Sequence, residues 1–275
     1  MRVGIIGLGL MGGSFGLALK KTMSDVRIIG FDHNVEHCQD AFQYGLVDET
    51  VSFFEIKSAD IIILAIPVEG VISTLELLKD IASETTIIDL GSTKSQIVES
   101  TPAVIRENLV AAHPMAGIEK FGPEAAFDSL YVNQTVVLCD TDKSGKSHVK
   151  KAVLLFNALE MNITYMGAKE HDLHAAYISH LPHAISYALA NSVLKQEDPK
   201  SILALAAGGF RDMSRIAKSS PHMWSDIFKQ NRENLLITIG DFEKEIVHAK
   251  GLIEQEEWDA LESWMQEATT LHKIL

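Results

Sequence analysis

The sequence is poor in the features that mark several large classes of protein. Cysteine occurs twice in 275 residues. Cys38 and Cys139 stand far apart and in no C-x-x-C pattern, so a reduced, cytoplasmic protein is expected. There is no run of Lys or Arg, and the formal net charge is -13. That balance argues against a nucleic-acid or membrane-surface partner, although a few local cations would still hold a small anion. The longest apolar run, 61–68, is too short to cross a bilayer. The chain opens directly on a strand pattern, which leaves no room for a signal peptide. No internal repeat or low-complexity tract is present. What remains is a chain 47% apolar, long enough for one large domain or two ordinary ones.

The stretch around which the rest is arranged lies at the start. An apolar run from Val3 to Ile6 leads into Gly7, Leu8, Gly9, Leu10, Met11 and Gly12, and a helical pattern follows. The order is G-x-G-x-x-G. Gly7 suits the tight strand-to-helix turn, Gly9 lets a pyrophosphate approach the backbone, and Gly12 lets the helix lie close on its strand. The free N–H groups and positive end of that helix then face the phosphates. A second strand pattern, 27–31, ends at Asp32, about twenty residues past the last glycine, where an acid bonds the ribose hydroxyls. A carboxylate there repels a 2′-phosphate, and His33 and Asn34 supply no arginine to hold one, so the expected cofactor is NAD rather than NADP.

Further on, 35–44 reads as a polar helix and 51–57 as a short amphipathic piece. The apolar run 59–67 reads as a central parallel strand buried on both faces. Helical spacing over 68–81 precedes a strand at 86–90, and a short strand at 109–112 ends at His113. Strands at 134–139 and 162–166 flank a helix at 146–159. The alternation then stops. Segments 169–194, 199–208, 221–249 and 255–271 all read as helix, with Ser220-Pro221 as an N-cap and first helical residue. The expectation is a doubly wound α/β domain over 1–167 and an all-helical domain over 168–275. The first long helix is apolar on more than one side (Leu181, Ala184, Ile185, Tyr187, Ala188, Leu189), which calls for burial all round and predicts a homodimer.

In open parallel sheets ligands sit beyond the carboxyl ends of the strands. Two strand ends bring polar side chains there: Ser92 with Lys94, and His113, held by Pro114 and opened by Gly117. His113 reads as a general base or as a loop histidine with a satisfied hydrogen bond. Ser92 reads as a hydroxyl at the reacting edge or as the N-cap of the next helix. In the helical half, His180 and His183 share a face at i, i+3. That spacing suits a metal, but no ligand set is completed around it, so a substrate-facing pair is preferred and no metal is expected. Gly208 and Gly209 precede Arg211, Asp212 and Arg215, and suggest a bend or close approach beside an arginine able to grip a carboxylate. Trp224 reads as core or as a pocket wall.

These pieces together resemble the prephenate dehydrogenase family. The resemblance is carried by Gly7 to Gly12, by Gly91-Ser92-Thr93-Lys94, and by His113-Pro114-Met115-Ala116-Gly117 with Glu119-Lys120. It continues through Ser179-His180-Leu181-Pro182-His183 and Phe210-Arg211-Asp212-Met213-Ser214-Arg215-Ile216-Ala217. Ser214 stands where the family often has threonine. The resemblance implies a Rossmann-like dinucleotide-binding domain followed by an all-α dimerisation domain. It also implies NAD-dependent oxidation and decarboxylation of prephenate in tyrosine biosynthesis, with arogenate as the alternative substrate. His113 would take the ring hydroxyl proton, and Ser92 would orient His113 and the nicotinamide. Arg215 would hold the ring carboxylate and His183 the pyruvyl side chain, with His180, Gly208 and Trp224 around the substrate. Glu119 and Asp212 would form an ionic gate with Arg215. The length leaves no room for an appended mutase or regulatory module. Two rivals stand beside this reading: a β-hydroxyacid dehydrogenase leaning on Lys169, and a non-catalytic NAD sensor.

Overall fold

The computed structural model describes residues 1–274. Its sheet is made of β1 (Arg2–Ile6), β2 (Arg27–Phe31), β3 (Glu49–Thr50), β4 (Ile61–Leu64), β5 (Thr86–Asp89), β6 (Leu109–Pro114), β7 (Thr135–Cys139) and β8 (Asn162–Met166). The spatial order is β3-β2-β1-β4-β5-β6-β7-β8. From β3 to β6 every pairing is parallel. β7 then runs antiparallel to β6, and β8 parallel to β7. The two-residue β3 escapes a periodicity reading, and the expected piece at 51–57 contains a short helix, Phe53–Ile56, held by a Ser52–Glu55 capping box.

The parallel strands are apolar without interruption because both faces are covered. Along β4, Ile61 and Ile63 face one core while Ile62 and Leu64 face the other. Strands β1, β2 and β5 divide in the same way, Ile28 from Ile29 and Ile88 from Ile87. The first core closes on helices Leu10–Thr22 and Lys146–Ala158, where Phe15 meets Tyr131 and Phe156 edge to face at 5.6 and 6.1 Å. The second closes on helix Val68–Leu77 through Val71 and Leu75. The chain order reverses between β1 and β4, which opens a crevice at their carboxyl ends.

From Ala168 onward the described residues are helices and turns alone. The segment read as one helix over 169–194 is three pieces: Ala168–Ala175, a π-helical turn Ala176–His180, and Leu181–Leu194. The segment read as 221–249 is broken at Asn231 into Pro221–Gln230 and Arg232–Glu254. Gly208–Ser214 is helical, followed by a 3-10 turn Arg215–Lys218. No described helix is long and apolar enough to cross a membrane.

Candidate active site

Each glycine of the first turn has its own physical reason. Gly7 has φ +94°, and a side chain there would run into the main chain at Ala65. A Cβ on Gly12 would be driven into the Gly7 carbonyl and Ile5. Gly9 is different: the nearest atom to an added Cβ is Gly122 N at 4.0 Å. The space in front of it is open, and the helix that starts there has no side-chain cap. That is the cradle a pyrophosphate fills. Leu8 and Leu10 turn their side chains into the core, so they offer a ligand only main chain. The Met11 carbonyl accepts the Tyr131 hydroxyl at 2.7 Å. Asp32 ends β2 as expected, with a further task in the fold. Its Oδ2 accepts the Leu8 N–H at 2.8 Å and its Oδ1 the Asn34 N–H at 2.9 Å. His33 and His37 stand 3.2 and 3.5 Å from it.

At the next strand ends, register sets two candidates past neighbouring strands. Asp89 on β5 lies opposite Ala111 on β6. Ser92 follows three residues past the first and His113 two past the second. His113 is not in a loop: antiparallel pairing with β7 carries β6 through it to Pro114. Ser92 is half-buried and is not the N-cap of helix Ser95–Ser100, a place taken by Lys94. That helix is instead capped from the helical half, where Asp172 accepts the N–H groups of Lys94 at 2.7 Å and Ser95 at 2.8 Å.

The same carboxylate anchors a chain of contacts that sequence reasoning missed. Asp172 Oδ1 bonds His171 Nδ1 at 2.9 Å, and His171 Nε2 bonds His113 Nδ1 at 2.7 Å. Burial works to raise the Asp172 carboxyl, but hydrogen bonds from His171, Ser95 and the Lys94 N–H outweigh it and hold it low. An ionised carboxylate only accepts, so His171 donates from Nδ1 and accepts at Nε2. His113 must then donate from Nδ1, which leaves its Nε2 with a free lone pair. Burial, with the nearby His171, Lys94 and His180, holds His113 well below the ordinary imidazole range. The signal that could have found this relay is the His171-Asp172 dipeptide at the first helix after the sheet.

His180 is 1% exposed and accepts at Nδ1 from Asn231 Nδ2 at 3.1 Å. Burial lowers its pKa to about 4. His183 Nδ1 donates to the Ser179 carbonyl at 2.9 Å, leaving Nε2 for a ligand. Both rings meet Trp224: His183 stacks on it at 3.5 Å between centroids and His180 stands edge-on at 6.0 Å. Trp224 is buried, and its indole N–H has no partner.

Arg215 reaches across to the loop after His113 and pairs with Glu119, in a contact partly open to solvent. Asp212 is exposed and joins no ion pair among the described residues. Gly208 and Gly209 do not serve a close approach: an added Cβ on either meets nothing within 4 Å. They begin a helix instead. Lys169 is 86% exposed and lies 3.7 Å from Glu99.

Comparison with known proteins gives a consistent result across the chain. Residues 15–165 match the family model of the prephenate dehydrogenase nucleotide-binding domain, and 167–267 that of the prephenate dehydrogenase dimerization domain. A prephenate dehydrogenase of Bacillus subtilis is 36% identical over 264 residues, covering 94% of this chain and 71% of that protein. Prephenate dehydrogenase from A. aeolicus, solved with hydroxyphenyl propionate and NAD+, superposes with a TM-score of 0.93 at 33% identity, over 99% of this chain and 97% of the other. Synechocystis arogenate dehydrogenase gives 0.83 at 27%, over 99% of both chains.

Proposed function

The chain belongs to the prephenate dehydrogenase family and is an NAD-dependent oxidoreductase, and from that premise we propose that it converts prephenate to 4-hydroxyphenylpyruvate in tyrosine biosynthesis. The observation that carries the reading is the His113–His171–Asp172 relay at the strand ends. It gives a neutral imidazole one free lone pair at the carboxyl edge of the same sheet whose first turn is open to a dinucleotide.

NAD, when bound, would supply the hydride acceptor for the hydroxyl-bearing ring carbon. Its pyrophosphate would lie on the N–H groups that follow Gly7, Leu8, Gly9, Leu10, Met11 and Gly12, and its ribose on Asp32. The chain's own residues do the rest. His113 Nε2 accepts the ring hydroxyl proton as the C–H bond breaks, which lets the oxygen push electrons toward carbon. The carboxylate leaves as carbon dioxide, the ring becomes aromatic, and His113 returns the proton to the phenol oxygen. No net proton is released. Ser92, on the neighbouring strand end, orients the imidazole. Arg215 takes the ring carboxylate, exchanging Glu119 for it, which makes Glu119 and Arg215 a gate in which Asp212 assists. His183, with His180, Trp224 and the segment opening at Gly208, faces the side chain. Burial lowers the His183 pKa, and the preference for prephenate rests on a keto acid's carboxylate drawing a proton onto His183 against that burial, which makes a cation that would repel the ammonium of arogenate.

The division between units is placed at 1–167 and 168–275. The protein is a cytoplasmic homodimer that acts on a small molecule, with no nucleic-acid or membrane partner. Support for the dimer comes from helix Leu181–Leu194, which buries only Ser186 within one chain despite its apolar sequence. The deciding assay is NADH or NADPH formation from prephenate and from arogenate, each with NAD and with NADP. Turnover of prephenate with NAD is expected. Turnover of 3-hydroxy acids alone would overturn the reading, as would cofactor binding without turnover.

A further inference from the structure

The proposed reaction leaves one deeply buried ion pair unexplained. Lys94 and Asp89 are both 0% exposed. Lys94 Nζ donates to Asp89 Oδ1 and to the Ala112 carbonyl, the latter at 2.6 Å. Asp89 Oδ1 also accepts the Gly91 N–H at 2.9 Å, while Oδ2 has no partner. A buried pair that leaves a carboxylate oxygen unsatisfied is weak evidence for stability, since apolar residues of similar volume often do as well. Its location is more informative. Ala112 is the residue before His113. The main-chain N–H of Lys94 donates to Asp172 Oδ1, the same oxygen that takes the His171 Nδ1 proton. One residue therefore holds both the strand that carries His113 and the relay that fixes its tautomer.

We infer that Lys94 is a positioning residue for this reaction: it grips His113 from the strand side and the relay side, and lays a fixed positive charge behind the imidazole. The inference rests on His113 being the base. The titratable and charged groups acting on His113 are His171 from the helix after the sheet, Lys94 from the end of β5 and His180 from the π-helical turn, with Asp172 behind His171 and Asp89 behind Lys94. On β7, burial pushes the Cys139 thiol up to about 12, so it stays neutral. Among these groups Lys94 is the cation that disfavours a protonated His113, and burial, which pushes the Asp89 carboxyl up, weakens the anion that would offset it. The base is thereby kept ready over a wider acid range than an ordinary imidazole.

The test is the pH dependence of kcat/KM for prephenate, measured at saturating NAD in three variants. Lys94→Met with Asp89→Asn removes both charges and leaves no unpaired buried ion. It is expected to bind NAD and keep KM within about threefold, while kcat falls roughly tenfold or more. The acid limb should move to higher pH by about one unit. Lys94→Met alone removes the cation, and the buried Asp89 carboxyl, already pushed up by burial, takes a proton rather than stand as an unpaired anion, so this variant should move the acid limb the same way. A role in packing alone would lower stability without moving either limb. His113→Asn is the control for the base. If it turns over normally, the base assignment fails and this inference with it. If it is inactive while the other variants keep the native acid limb, the base stands and the role of Lys94 is overturned. Should the double variant not fold, Lys94→Met decides: an acid limb unmoved or lowered overturns the inference.

Discussion

At His113, the burial that makes an imidazole a poor cation also makes it a ready base. The protein without His113 at work is therefore a sharp case. His113→Asn should keep substrate binding, read by NAD-dependent quenching of tryptophan fluorescence on titration, and lose about 10²–10⁴ in kcat. Because the pKa of His113 is depressed, the neutral form persists below the ordinary imidazole range of about 6.5. Activity should thus survive acidification past that point and fall only as pH drops through the lowered pKa. An acid limb centred at or above the ordinary value would contradict the burial argument. Asp172→Asn makes a second case. An amide in place of the carboxylate admits the wrong His171 tautomer, so kcat should fall at least about tenfold with KM little changed. It also weakens the cap on helix Ser95–Ser100, at about 1 kcal/mol in a thermal or denaturant melt. His113 was legible from the sequence because a strand pattern ran directly into it. His171 was not, because it lies 58 residues away on the other half of the chain and only folding sets it at 2.7 Å.

Among the elements, the loop after β6 and the 3-10 turn Arg215–Lys218 meet through Glu119 and Arg215. The side chains are 27% and 59% exposed, so the pair contributes little to stability and is readily exchanged. Glu119→Gln should lower KM for prephenate up to about fivefold by removing the competitor for Arg215. Arg215→Ala should raise KM by roughly 10- to 150-fold, the range for a charged hydrogen bond. Steady-state kinetics checks both, and an unchanged KM in the pair of variants would remove the gate. The elements also show where sequence patterning ran out. Apolar spacing gave the strands because alternate residues of β4 feed two cores. It did not show the π-helical turn Ala176–His180. Pro182 offers no N–H and crowds the carbonyl four residues before it, and the turn widens there, as such turns often do at functional sites. Nor did spacing show the break at Asn231, whose side chain leaves its own helix to bond the Asp172 carbonyl at 2.6 Å as well as His180.

For the whole molecule, the proposed second copy explains a helix too apolar for its exposure. Ala188 is exposed in the single chain, so Ala188→Asp costs the monomer little. In a dimer it places an unpaired charge at the contact. Sedimentation should show the native protein at twice the chain mass and the variant largely at one. A native protein that sediments as a monomer would end the proposal. Asp172 has a consequence at this scale too. It belongs to the helical half, yet it closes the bare end of a helix in the sheet half and steadies the imidazole there. A chimera that grafts the sheet half onto a foreign partner lacking an acid at that spot would inherit a binding crevice and lose its chemistry. The two halves can therefore be transplanted only as a matched set.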